Sequence, residues 1–85
     1  MKEVKIYTTT YCPYCKKAKV LFDQMDVAYQ EINIEQDEKL RDELIAKYNW
    51  QTVPMIVIGD KFIGGFDDVA KLHLEGKLKA EIGVE

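Results

Sequence analysis

The only cysteines of the chain stand three positions apart, in Cys12-Pro13-Tyr14-Cys15. So close a pair encloses too short a loop to staple a fold, and structural disulfides are rare in the cytoplasm. The spacing suits thiol–disulfide exchange instead, in which a thiolate attacks a disulfide sulfur through a mixed-disulfide intermediate. A free cysteine, with a pKa near 8.5, is only ~3% ionised at pH 7, so this chemistry needs a group that stabilises the anion. Pro13 suits the first turn of a helix, where its missing N–H would be unpaired anyway. Cys12 then lies just before the helix, against its free N–H groups and the positive end of its dipole. That dipole contributes about 0.3–2 kcal/mol, or roughly 0.2–1.5 pKa units. N–H···S hydrogen bonds and the cation of Lys16 or Lys19 would add to it; both lysines also read as ordinary solvent-facing helix residues, Lys19 the more so. Cys15, one turn further in, is expected to be less exposed and less acidic. Cys12 is therefore assigned as the attacking nucleophile and Cys15 as the resolving thiol.

Two other chemistries fit the residues poorly. A structural zinc site takes four nitrogen or sulfur ligands, and the chain offers two cysteines and a single histidine, His73, far along the sequence. His73 reads as a helix-surface residue. A Cys–His hydrolase would need His73 oriented toward the nucleophile, and nothing in its neighbourhood does that.

The elements that must hold the dithiol follow from periodicity. Glu3 to Tyr7 reads as a first strand with Val4 and Ile6 on one side, and Thr8, Thr9 and Thr10 as a loop. Ala18, Leu21, Phe22 and Met25 recur at helical spacing, so a helix runs from Pro13 to about Met25. A second strand is expected around Tyr29 to Ile34. Asp37 is placed as the cap of a second helix, with Leu40, Leu44, Ile45 and Tyr48 as its buried stripe. Met55–Ile58 and Lys61–Ile63 form a hairpin across Gly59-Asp60, a pair suited to a type II′ turn. Asp67 or Asp68 starts a last helix through Val69, Leu72 and Leu74. The order is βαβαββα. Its β-α-β unit requires parallel strands and its hairpin antiparallel ones, so the α/β fold is a mixed four-stranded sheet flanked by helices.

Composition bounds the possible functions. The chain has 85 residues, enough for one domain spanning 1–85 with a single modest core, so a substrate is expected in a surface groove. With 47% hydrophobic and 32% charged residues and a net charge of -3, Lys and Glu interleaved throughout, no basic run forms a nucleic-acid patch. No apolar stretch approaches the roughly 20 residues of a membrane span. Met1 to Lys5 has no apolar core of the kind a signal peptide carries, which points to the cytoplasm.

Two further segments read as a binding surface. Thr52-Val53-Pro54 precedes the hairpin, and proline is tolerated at the start of a strand. A cis Val53–Pro54 bond would turn the Val53 backbone outward to pair with an extended peptide-like substrate. Gly64-Gly65-Phe66-Asp67-Asp68 feeds a helix start, where carboxylates bind. Asp67 and Asp68 read either as caps or as partners of a substrate ammonium. Tyr14 either flanks the groove or simply packs.

Taken together, Cys12-Pro13-Tyr14-Cys15, Thr52-Val53-Pro54 and Gly64-to-Asp68, in this order along the chain, resemble the dithiol glutaredoxins over nearly the whole length. The resemblance implies a thioredoxin-like fold, a cis Pro54, and a glutathione-dependent disulfide oxidoreductase. It implies reduction of protein disulfides and glutathione mixed disulfides, with glutathione as reducing co-substrate and no tightly bound cofactor. Glutathione contacts are implied for Tyr14, Arg41, Thr52, Val53, Pro54, Gly65, Phe66, Asp67 and Asp68. Its cysteinyl backbone would pair with Val53, its γ-glutamyl end would meet Phe66 to Asp68, and Arg41 would face its glycine carboxylate. Arg41 also reads simply as an exposed helix residue pairing with a nearby Glu. The expected partners are glutathione and disulfide-containing client proteins, met by a monomer without nucleic acid or membrane. One departure stands out: Thr9 occupies the position where many members carry a lysine. The alternative is thus a glutaredoxin-like redoxin reduced by a thioredoxin reductase. An iron–sulfur role ranks lower, because members holding such a cluster usually replace Pro13.

Overall fold

The computed structural model describes residues 2–83. Its elements run β1 (Val4–Thr8), α1 (Pro13–Gln24), β2 (Gln30–Asn33), α2 (Glu38–Tyr48), β3 (Met55–Ile58), β4 (Lys61–Gly64), α3 (Phe66–Leu74) and α4 (Leu78–Ile82). This is the expected βαβαββα order with a short fourth helix added. The four strands form one sheet in the order β2-β1-β3-β4. β1 and β2 pair in parallel, as a helical crossover demands, while β1–β3 and β3–β4 are antiparallel.

Helices cover both faces of the sheet, which is why all four residues of β3 are buried. On one side Val4, Ile6, Ile56 and Ile58 pack with Ala18 and Phe22 of α1 and Val69 of α3. On the other, Met55 and Ile34 pack with Leu44 of α2, and Leu40, Ile45 and Tyr48 are partly buried around them. α1 buries Cys15, Ala18 and Phe22, spaced three and four apart along one face, so the core that anchors this helix also anchors the second sulfur. Asp37 caps α2, accepting from the Leu40 N–H at 3.1 Å. In the hairpin turn Gly59 takes φ 61° while Asp60 does not share a positive φ, the sign pattern of a type II′ turn.

Four expectations are corrected. Thr8 belongs to β1 rather than to a loop, and it is fully buried because its hydroxyl donates to Glu31 Oε2 at 2.8 Å. Lys19 does not simply face solvent: its ammonium binds both carboxylate oxygens of Glu31, at 3.1 and 3.2 Å. α3 begins one residue earlier than expected, with Gly65 at the cap and both Asp67 and Asp68 inside the first turn. Leu74 is 85% exposed. It lies five positions after buried Val69, off the i, i+3, i+4 face that meets the core. The fourth helix was not expected. Its Leu78 and Ile82 close the core at the far end of the sheet from the dithiol, and the Lys2 N–H donates to the Ile82 carbonyl at 2.7 Å.

Candidate active site

Cys12 is the N-cap of α1, with extended backbone at φ −143° and ψ 99°. Its sulfur stands where a capping side-chain oxygen would, and accepts a hydrogen bond from the Cys15 N–H at 3.1 Å. No acidic residue occupies the first turn of α1 to compete for the positive helix end. Cys12 and Cys15 are joined as a disulfide, with Cα atoms 5.2 Å apart. Cys12 is 7% exposed and Cys15 2%, so the first sulfur is the one nearer solvent. The helix-start donor and the greater exposure both fall to Cys12.

The loop before β3 meets this sulfur. The Val53–Pro54 bond is cis. The Val53 carbonyl oxygen lies 3.7 Å from Cys12 Sγ. The backbone groups of Val53 precede the β3 ladder and carry no backbone partner among the described residues. From there a groove of about 380 Å³ runs toward the start of α3. Thr52, Val53 and Pro54 line it on one side, and Gly65, Phe66, Asp67 and Asp68 on another. Tyr14 borders it from α1, its ring 6.2 Å from that of Phe66. At the start of α3 the Asp68 carboxylate accepts from the Gly65 N–H at 3.1 Å, so Asp68 serves the helix start and also faces the groove.

Eight of the nine residues implied as ligand contacts thus line one groove. Arg41 does not: it sits on the exposed face of α2, outside the lining, and makes no ion pair among the described residues. The groove has one wall that sequence reasoning missed, Trp50. Its indole meets Phe62 edge-on at 5.4 Å, and Phe62 in turn stacks on Tyr48 at 4.5 Å. The indole also backs Gly65, where an added Cβ would lie 3.4 Å from Cζ2. Trp50 Nε1 is shielded from solvent without a hydrogen-bond partner among the described residues. The available signal was the chain's single tryptophan standing two residues before Thr52.

His73 lies exposed on α3, and among the described residues no group of three or more His, Cys, Asp or Glu side chains is gathered as a metal site. A dithiol at a helix start, beside a cis-proline loop on a mixed sheet, defines a thiol–disulfide oxidoreductase of thioredoxin-like fold. Comparison with known proteins narrows the class. The glutaredoxin family profile matches residues 4–63. The chain is 46% identical over 80 residues to a glutaredoxin of Pseudomonas aeruginosa, covering 94% of this chain and 95% of that one. It is 41% identical over 78 residues to glutaredoxin 3 of Escherichia coli K12, covering 92% and 94%. Among solved structures it is similar to the buckwheat glutaredoxin–glutathione complex, with a TM-score of 0.91 and 35% identity over 96% of this chain and 77% of that one. The chain belongs to the glutaredoxin family.

Proposed function

We propose that this chain reduces protein disulfides and glutathione mixed disulfides, with glutathione as its electron donor. The observation that carries the reading is the Val53 backbone, without a backbone partner among the described residues and with its carbonyl 3.7 Å from Cys12 Sγ, at the head of a groove that ends on Asp67 and Asp68. A cysteinyl peptide unit paired with Val53 brings its sulfur to Cys12, and a γ-glutamyl ammonium then reaches the two carboxylates. The buckwheat relative is solved as a glutathione complex.

With a glutathione mixed disulfide, the Cys12 thiolate attacks the glutathione sulfur. A Cys12–glutathione disulfide forms and the client leaves as its thiolate. A second glutathione thiolate then attacks the bound glutathione sulfur, releasing oxidised glutathione and regenerating Cys12. With a protein disulfide, Cys12 forms the mixed disulfide, Cys15 attacks the Cys12 sulfur, and the client leaves with both its thiols. Two glutathiones then reduce the Cys12–Cys15 bond, at a potential of about −200 to −230 mV for a protein of this family. The chain is proposed to work as a monomer in the cytoplasm.

Cys15→Ser separates the two routes. It is expected to keep turnover of small glutathione mixed disulfides and to lose reduction of protein disulfides, while Cys12→Ser loses both. Equal losses in the two variants would overturn the assignment. A second reading keeps the dithiol chemistry but draws electrons from a thioredoxin reductase, and is favoured by Thr9 and by a groove lining without a cation. Mixing the oxidised chain with glutathione, or with such a reductase and NADPH, decides between the donors by which one restores free thiols.

A further inference from the structure

Cys12 is recessed, so a client disulfide reaches it only by bringing its own surface onto the residues around that sulfur. Those surroundings differ from side to side. The α3 start carries Asp67 and Asp68, and the polar hollow of about 430 Å³ beside Thr10 is lined by Glu35 and Asp37. α2 mixes Lys39 and Arg41 with Glu38, Asp42 and Glu43. The outward face of α1 is of another kind. Pro13, Lys17, Val20 and Gln24 recur at i, i+4, i+7 and i+11, one stripe of a helix, opposite the buried Cys15, Ala18 and Phe22. All four are exposed, as is Lys16 on the shoulder of the stripe. Neither Lys16 nor Lys17 forms an ion pair among the described residues. The Lys17 ammonium is held at the dithiol end of the stripe, 5.0 Å from the centre of the Tyr14 ring. No acidic residue occurs on α1 before Asp23, near its far end. Two apolar side chains accompany the cations: Tyr11, next to Cys12, is 90% exposed, and Val20 is 51% exposed.

We propose that this face of α1 is a docking surface for protein clients, and that the partner it fits is a disulfide-bearing segment with carboxylates close to the attacked cysteine. The face is continuous with the reacting sulfur, since its stripe starts at Pro13. A client lying over Cys12 therefore meets it before any other part of the helix. Unpaired cations attract a carboxylate-bearing segment to this side, while the carboxylates of the α3 start and of the Thr10 hollow repel it from the others. Such complementarity acts on encounter rate and on partner choice. Length fixes the spacing. From Pro13 to Val20 the helix rises about 10 Å, and an extended segment covers about 3.3 Å per residue, so the client carboxylates belong roughly two to four residues from its cysteine. The inference rests on the protein-disulfide reading above and adds which clients are taken, and on which side of the dithiol they lie.

The test compares the rates at which the reduced full chain opens two disulfide peptides of one sequence. They differ only in whether Asp or Lys stands within that spacing on both sides of the disulfide. Each rate is divided by that of the same peptide with dithiothreitol, so that the peptide's own reactivity cancels. The rate on bis(2-hydroxyethyl) disulfide, which is small and uncharged, corrects each variant for any change at Cys12. The Asp peptide is expected to react roughly tenfold faster than the Lys peptide at low salt. The gap should narrow at about 1 M salt, where charges act over roughly 3 Å. Lys17→Glu is expected to invert the order, and Lys17→Gln to shrink the gap. Lys79→Glu makes the same charge change on α4, away from the dithiol, and should leave the gap in place. Equal rates for the two peptides, a faster Lys peptide, or an order that survives Lys17→Glu overturns the inference and leaves protein-disulfide reduction standing. An equal effect of Lys79→Glu also overturns it, by making net charge rather than the α1 face the cause. If the small disulfide is reduced and neither peptide is, the protein-disulfide reading falls, and the inference with it.

Discussion

α1 and α3 both begin at the groove, and each brings roughly half a positive elementary charge to it. α1 opens on Cys12 with no acidic residue in its first turn, and its cap hydrogen bond ends on sulfur. α3 opens on Gly65 and carries Asp67 and Asp68 in its first turn, with Asp68 taking the Gly65 N–H. The same helix end is thus put to opposite uses. At α1 the positive end is left for an anion that the chain itself generates, the Cys12 thiolate. At α3 the end is already balanced by fixed carboxylates, which on the proposed glutathione reading turn an anion site into one for an ammonium beside a carboxylate. A reacting sulfur needs the first environment, and a zwitterionic ligand end needs the second.

The strongest way to break this pairing is at the α3 start, through Gly64. It holds φ 129°, and an added Cβ would overlap the Asp68 carboxylate. Gly64→Ala is expected to cost about 1–3 kcal/mol from backbone strain alone, read as a lower melting temperature. It should also raise the KM for glutathione mixed disulfides, since Asp68 must move. Asp68→Ala is the milder version. Losing one helix-start acceptor costs about 1 kcal/mol, and the KM rises as well. Asp67→Asn sharpens the contrast: Asp67 is exposed and caps nothing, so KM should rise while stability falls only by the loss of one first-turn charge, about 0.3–1 kcal/mol.

The α1 start is tested by giving it what α3 has. Lys16→Glu places a carboxylate one turn from Cys12, on an exposed position outside the groove lining. It is expected to destabilise the thiolate by about 0.3–1 kcal/mol, so that Cys12 alkylation by iodoacetamide shifts to higher pH. The oxidised form, which carries no anion there, should gain stability from the same charge. Lys16→Gln separates loss of the cation from gain of the anion. Opposite movement of reactivity and stability is the signature; movement in the same direction would mean that the α1 dipole is not what activates Cys12.

Legibility in the sequence followed the reach of the interactions. The dithiol, Thr52-Val53-Pro54 and Gly64-to-Asp68 are runs of adjacent residues whose types fix local backbone, and the structure sets all three around one groove. What escaped depends on distant partners. Thr8 reads as loop beside two more threonines, and becomes strand because Glu31, 23 residues on, satisfies its hydroxyl. Trp50 enters the groove because Phe62, on β4, fixes its ring. At the α3 start, Gly65, Asp67 and Asp68 are all acceptable caps by type, and only the path of the chain out of β4 selects Gly65. α4 has five residues, too few for a helical period to register.

The smallest expected effect concerns what stands behind each helix start. Asp68 steadies α3 from within the groove. Behind α1 the corresponding tie is Glu31, which joins the end of β1 through Thr8 to α1 through Lys19. The Thr8 hydroxyl bond holds the Glu31 carboxyl below its usual value, assisted by Lys19 and opposed by burial. A carboxyl whose pKa is lower folded than unfolded adds stability above its unfolded value of 4.5, and loses it as pH falls through the folded value. Glu31→Gln should therefore melt below the parent chain at pH 7, and the gap should close as pH drops below 4.5. Because the pair is partly exposed, the gap at pH 7 is expected to stay under about 1 kcal/mol. Cys12 alkylation at pH 7 is expected within about twofold of the parent rate, since the sulfur draws on the α1 N–H groups rather than on Glu31. A larger change in alkylation would make the Glu31 tie, and not the bare helix end, the feature that sets α1 apart from α3.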